Sequence, residues 1–332
     1  MGSGSDKESG ARRLLAVATS FPVRLLVTVG LLAAIALTLD WGQVGERLEE
    51  GSWAWFAAGV GVLACALGFG AVRWHLLLRA AELPVSRWQT ARAYAIGLFA
   101  NNFLPTSFGG DAARGFLVAR GGTALVRSLT SVLVDRASAI ACLILVGVGA
   151  FVIASREVPD DLGFLLLAVA VLAAGAVALA LPLVRAQRLR ALLPERLRPH
   201  AREVRDTLLA YGRDRRLVAF VLGLGLVYQA LTVASLAMVA RAIELDLDFA
   251  LAAVVLPLVL VATLFPISVA GFGVREGGFI VLLDQAGFSA ADATLLSLLS
   301  VVAMALATSP GALALLTSGE RAALPAPASG DR

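Results

Sequence analysis

The chain is 332 residues long, 59% hydrophobic and only 16% charged, with a mean hydropathy of +0.84. A soluble domain carries roughly 25% charged residues, so the composition excludes a water-soluble globule and indicates an all-α polytopic membrane protein. The net charge is +4, Cys65 and Cys142 fall in apolar runs without metal-ligand spacing, and the one lysine, Lys7, lies near the N-terminus, which argues against a disulfide framework, a metal motif and the Gly-Lys-Ser/Thr of a Walker A loop.

Taken in order, residues 1–21 are rich in Gly, Ser and charge and are expected to be a disordered cytoplasmic tail. A first span is expected over 22–39, and a cleaved signal peptide is disfavoured because no small-residue cleavage site follows. A short acidic loop over 40–52 leads to a second span at 53–72. Arg73, Arg79, Arg87 and Arg92 then form a basic loop over 73–92. A broken segment occupies about 93–119, and a long helix follows at 128–154, interrupted by Asp135 and Arg136. Uncharged spans are expected at 162–184 and 217–240, and the loop between them, 185–216, holds ten arginines and four acids. A second broken segment covers about 250–286. The last span is expected over 293–317, with a disordered Pro/Ala-rich tail at 318–332.

The two broken segments share a pattern. Pro105-Thr106-Ser107-Phe108-Gly109-Gly110-Asp111-Ala112-Ala113-Arg114 and Pro266-Ile267-Ser268-Val269-Ala270-Gly271-Phe272-Gly273-Val274-Arg275 both read Pro-x-Ser-x-(Gly/Ala)-Gly-x-x-x-Arg. Cytoplasmic loops collect Lys and Arg. Placing 1–21, 73–92, 118–127, 185–216 and 318–332 inside puts 21 basic residues there, against Arg47, Arg156 and Arg241 in the opposite set. The first broken segment then has basic loops at both ends, and the second has acidic loops at both ends. Each reads as a re-entrant hairpin, entering from opposite faces. The expected architecture is an inverted-topology repeat, 22–154 and 162–317, forming one transmembrane domain. It has six full spans plus two re-entrant helical hairpins, eight hydrophobic segments in all, and cytoplasmic termini. Eight ordinary spans with polar kinks is the alternative.

Three stretches carry a family resemblance: Asn101 to Arg114 (Asn-x-Phe-Leu-Pro-x-x-x-Gly-Gly-Asp-x-x-Arg), Ser131-Val132-Leu133-Val134-Asp135-Arg136, and Pro266 to Gly277. They resemble the flippase-like family, also called the lysylphosphatidylglycerol synthase transmembrane region, over about 20–317. The resemblance implies transport of a lipid or lipid-linked substrate in the inner cell membrane. It does not carry transferase activity over, because the aminoacyl-transfer domain of the full synthases is missing from the sequence, so an enzyme is not expected.

A helix N-terminus buried in the membrane presents unpaired N–H groups and a partial positive charge, a ready phosphate site. Arg114 and Arg275 fall in the first turns of the second half-helices, and a guanidinium matches phosphate oxygens bidentately. Gly109, Gly110, Gly271 and Gly273 allow close approach of a headgroup. Asn101 and Asn102 orient a headgroup hydroxyl or cap the turn, and Arg136 is a further candidate ligand. Asp111, Asp135 and Glu276 are read as charge partners or proton carriers. The same residues equally describe a closed ion-pair clamp, with Asp135 and Arg136 completing a balanced network with Arg275 and Glu276. His75 and His200 read as solvated or interfacial. Trp41, Trp53, Trp55, Trp74 and Trp88 fall at span ends as an aromatic belt. The expected partners are membrane lipids with anionic headgroups. No cofactor, nucleotide or nucleic acid is expected. A lipid-modifying enzyme is the partner in a scaffold reading, and the oligomeric state is left open.

Overall fold

A computed structural model describes residues 21–38, 41–104, 109–119, 121–154, 156, 158–185, 194–265 and 268–317. Both expected tails (residues 1–20 and 318–332), Pro105, Ser107 and Pro266 of the repeated motif, and 186–193 of the basic loop lie outside the described residues.

The described residues contain helices and no strand. In chain order they are α1 (Phe21–Thr38), α2 (Trp41–Glu50), α3 (Trp53–Ala80), α4 (Arg87–Asn101), α5 (Gly109–Val118), α6 (Gly122–Ile153), α7 (Asp160–Arg185), α8 (Arg198–Arg213), α9 (Arg215–Ala242), α10 (Phe249–Leu264), α11 (Val274–Asp284), α12 (Ala290–Thr308) and α13 (Pro310–Leu316). Five are long and apolar enough to cross a bilayer: α3, α6, α9, α12 and the Asp160–Leu179 part of α7. The apolar stretches of α1 (Leu25–Leu37) and α10 are shorter. In hydrocarbon every backbone polar group must be satisfied internally, and a helix does this within its own segment.

The centre is α3 packed along α9. Small residues let the backbones close in: Ser235 Oγ donates to the Gly59 carbonyl at 2.8 Å, and a Cβ on Gly59 would stand 3.2 Å from the Ser235 carbonyl oxygen. Helix α6 packs on α9 and α10, with Gln229 Nε2 donating to the Ala139 carbonyl at 2.7 Å. Helix α12 packs on α3 and α11. By contrast α7 carries exposed Phe164, Val171, Leu172 and Leu179 along its outer side. An apolar helix with so little of its surface inside the protein is suited to a lipid neighbour.

Two helix pairs fold back on themselves. Helices α4 and α5 pack together, joined by residues 102–108, and α10 and α11 pack together across residues 265–273. In the first pair the backbones touch at two glycines. A Cβ on Gly97 would stand 2.7 Å from the Gly110 carbonyl oxygen, and one on Gly110 would overlap the Gly97 carbonyl. In the second, Ala270, Gly271 and Gly273 take positive φ (52°, 81° and 84°), which turns the chain into α11.

Several boundaries differ from those expected. The last span, expected over 293–317, is divided at Ser309 into α12 and α13, and the long helix expected from 128 begins at Gly122. The 40–52 loop contains helix α2. The 185–216 loop contains helix α8. Most consequential, the second span does not end at 72 but runs to Ala80, so Arg73 is in a helix interior and 1% exposed, not in a basic loop. The helix continues because Arg73 finds a carboxylate inside the bundle.

Candidate functional site

Three helices bring charge together. Arg73 comes from α3, Asp111 and Arg114 from α5, and Asp135 and Arg136 from α6. Tyr94 of α4 and Trp74 of α3 close the back. Arg73 Nε donates to Asp135 Oδ1 at 2.8 Å, and its Nη2 donates to the Asp135 carbonyl at 3.2 Å. Arg114 Nη2 reaches Asp135 Oδ2 at 3.0 Å and Asp111 Oδ1 at 3.1 Å. Arg136 Nη1 donates to Asp111 Oδ2. The result is a chain in which two carboxylates are shared among three guanidiniums, with a formal charge of +1.

Burying such a cluster is costly unless its hydrogen bonds are made and its charges compensated. Aromatic faces contribute. The Arg114 guanidinium lies 4.7 Å from the Trp74 ring centre and 4.9 Å from that of Tyr94, and Arg73 lies 5.4 Å from that of Tyr228. Trp74 is held in turn, its Nε1 donating to Ser131 Oγ at 3.0 Å. Compensation is nevertheless incomplete: Arg73 Nη1 and Arg114 Nε and Nη1 are buried without a hydrogen-bond partner. Unpaired buried donors of this kind are rare in proteins.

These side chains line a cavity of about 260 Å³. Its charged wall is the cluster just described. Opposite stand Leu260, Val261 and Leu264 of α10 and Met304 of α12. The shape follows from how α6 meets α10. They touch where a Cβ on Gly147 would stand 2.6 Å from the Ala253 carbonyl oxygen and 3.2 Å from Pro257 Cγ. Beyond Pro257 the cavity occupies the space between α10 and residues 135–144 of α6. Leu260 is 41% exposed, so this apolar wall reaches the outer surface of the bundle. The arrangement offers positive charge on one side and a hydrocarbon surface on the other.

The second folded pair forms its own cluster. Glu276 is fully buried; its Oε2 accepts from the Gly273 N–H at 2.5 Å, and its Oε1 accepts from Ser297 Oγ and from Arg275 Nη2, each at 3.3 Å. The N-terminus of α11, expected to receive a phosphate, is occupied by the protein's own carboxylate. Arg275 and Glu276 do not line the cavity that holds Arg114. The charges therefore form one positive cluster and one neutral pair.

The expected balanced network joined Asp111, Arg114, Asp135 and Arg136 with Arg275 and Glu276; the structure brings the first four together and leaves Arg275 and Glu276 as a separate pair. Asn101 and Asn102 take architectural positions: Asn101 Oδ1 accepts from the Gly110 N–H at 2.8 Å, closing the first pair, and Asn102 Nδ2 donates to Thr308 Oγ1 at 2.8 Å, tying it to α12. Gly109 begins α5, Gly110 makes the helix contact, and Gly271 and Gly273 make the second turn. Arg73 was missed. The buried positions Gly59, Leu63, Leu67, Gly70, Arg73, Trp74 and Leu77 of α3 recur every three or four residues, and extending that stripe past the first charge would have found it.

A family model described as the lysylphosphatidylglycerol synthase TM region matches residues 21–311. The chain belongs to this family. No curated protein matches it. The match takes in both folded pairs and every residue of the charged cluster, and the apolar helices agree with a multi-pass membrane member of that family.

Proposed function

We propose that this family member moves an anionic lipid, a phospholipid or a polyprenyl-phosphate-linked lipid, between the leaflets of the inner cell membrane. It acts as a transporter and not as an enzyme. The observation that carries the reading is the cavity itself: Arg73 and Arg114, the core of a cluster with an excess positive charge, line the same space as an apolar wall that reaches the bundle surface. A phosphate headgroup matches the first, while the tails remain against the second. Asp111 and Asp135 hold the arginines in place, and Arg136 offers a further donor at the rim.

The same reading takes the two folded pairs as re-entrant hairpins in an inverted repeat of six spans, with both termini cytoplasmic. Helix lengths support it. At 1.5 Å per residue α4 and α5 extend about 22 and 15 Å, and α10 and α11 about 24 and 16 Å, against a hydrocarbon core of about 30 Å. Each helix is too short to cross, and each packs on its partner.

The second reading is a proton-coupled carrier of a small soluble anion. The cavity volume favours it, since about 260 Å³ suits a small anion or a headgroup alone, and Asp111 and Asp135 stand within it as proton carriers. A scaffold for a lipid-modifying enzyme needs no transport at all.

Reconstitution in liposomes separates the three. Wild-type protein speeds transbilayer movement of a fluorescent anionic phospholipid and does less for a neutral diacylglycerol. Arg114→Gln slows it roughly 10- to 100-fold per folded protein, the worth of one charge-assisted contact. Uptake of a soluble anion with no lipid movement selects the second reading. Rates equal to protein-free liposomes remove both and leave the scaffold.

A further inference from the structure

Helix α8 bridges two candidate spans, α7 and α9, and only Asp214 separates it from α9. Asp214 ends one helix and starts the next, its Oδ1 accepting from the Arg216 and Leu217 N–H groups at 3.0 Å each. Helix α8 therefore stands at the N-terminal end of the candidate span α9. Its inner stripe is fixed to the body. Glu203 pairs with Arg127 of α6, Thr207 is buried, and Tyr211 Oη donates to the Leu77 carbonyl of α3 at 2.9 Å. Leu77 lies one turn from Arg73, and Arg127 two turns from Asp135, so α8 rests on the two helices that carry the shared ion pairs.

Its outer side and both its ends are basic. Arg202 and Arg213 of α8 are exposed, as are Arg196 just before it and Arg215 and Arg216 at the start of α9, against exposed Glu195 and Asp206 and the capping Asp214. At the same end, where α3 finishes and α4 begins, Arg79 and Arg87 are exposed too. Two large apolar side chains stand out among these charges, Trp88 at 76% and Leu197 at 51% exposure. Arginines mixed with exposed Trp and Leu beside an entering span match the boundary between headgroups and acyl chains. A soluble acidic protein would match the charge but not the apolar side chains or the depth.

We propose that α8 is a docking helix for anionic lipid headgroups, and that this docking steadies α3 and α6 at the charged cluster. It concerns a surface separate from the cavity, and its test does not depend on transport. Amide hydrogen exchange is followed across 198–213 in full-length protein, in nanodiscs of phosphatidylcholine alone and of phosphatidylcholine mixed with phosphatidylglycerol. Anionic lipid slows exchange by about fivefold for each arginine engaged. The triple variant Arg196→Gln/Arg202→Gln/Arg213→Gln exchanges alike in both discs, although α9 keeps its protection. Tyr211→Phe, which loosens the helix and leaves the arginines, raises exchange in both discs and preserves the difference between them. Equal exchange of wild-type protein in the two discs overturns the proposal. So does protection that appears only on adding a soluble acidic polypeptide, which would assign the surface to a protein partner.

Discussion

Asp135 and Asp111 each accept from two arginines, yet they are not equivalent. Asp135 serves Arg73 and Arg114, whose side chains are 2% and 3% exposed, whereas Asp111 serves Arg114 and Arg136, the latter 28% exposed. Removing Asp135 leaves Arg73 without its carboxylate and Arg114 with one in place of two. We expect Asp135→Ala to cost about 3–5 kcal/mol, the range for breaking a buried pair. Asp111→Ala costs less, because Arg114 keeps Asp135 and Arg136 is partly exposed. Unfolding in detergent measures both, and equal losses would show that the cluster has no single centre. Double substitution tests whether the two hairpins share a ligand. Arg114 and Arg275 share no carboxylate, so the stability costs of Arg114→Gln and Arg275→Gln are expected to add within about 0.5 kcal/mol. Clear non-additivity would mean that one network joins them.

Between elements, backbone contact sets the geometry. The α4–α5 crossing at Gly97 and Gly110 brings Arg114 to Asp135, and no Cβ fits at Gly110. Gly110→Ala has to push the helices apart, an overpacking cost of about 1–3 kcal/mol, and it displaces Arg114 with them. Gly277 is the control. It lies in α11 with nothing within 4 Å of an added Cβ, so Gly277→Ala is expected to be neutral or to stabilise by up to about 1 kcal/mol through helix propensity. Melting temperatures of the two variants check this. A Gly110→Ala protein as stable as wild type would show that the crossing is loose.

On the scale of the whole molecule, the proposed re-entrant arrangement of the two folded pairs is tested by the side from which their flanks can be reached. In a background without Cys65 and Cys142, cysteines in place of Ser86 and Gly122 flank the first hairpin, and cysteines in place of Asp246 and Asp284 flank the second. All four positions are exposed. Two re-entrant hairpins entering from opposite faces require the first two to react with an impermeant thiol reagent from one side only, and the last two from the other side only. Positions 86 and 122 labelling from different sides would make α4 and α5 a crossing segment and remove the inverted repeat.

Composition alone determined that this is a helical membrane protein, because lipid excludes so much charge and offers the backbone no hydrogen bonds. The repeated Pro-x-Ser-x-(Gly/Ala)-Gly-x-x-x-Arg pattern located two broken segments, and charge balance suggested one network of Asp111, Arg114, Asp135, Arg136, Arg275 and Glu276, of which only the first four meet. Tertiary structure decided the rest. It drew Arg73 into the site, since an arginine at the end of an apolar run reads as a loop until a buried carboxylate from another helix is seen beside it. It also separated Arg275 from Arg114, because Glu276 reaches back to the Gly273 N–H and neutralises the second helix terminus locally. Spacing along a chain shows which charges are near in sequence. Which of them share a carboxylate, and which donors are left over for a ligand, depends on how the helices cross.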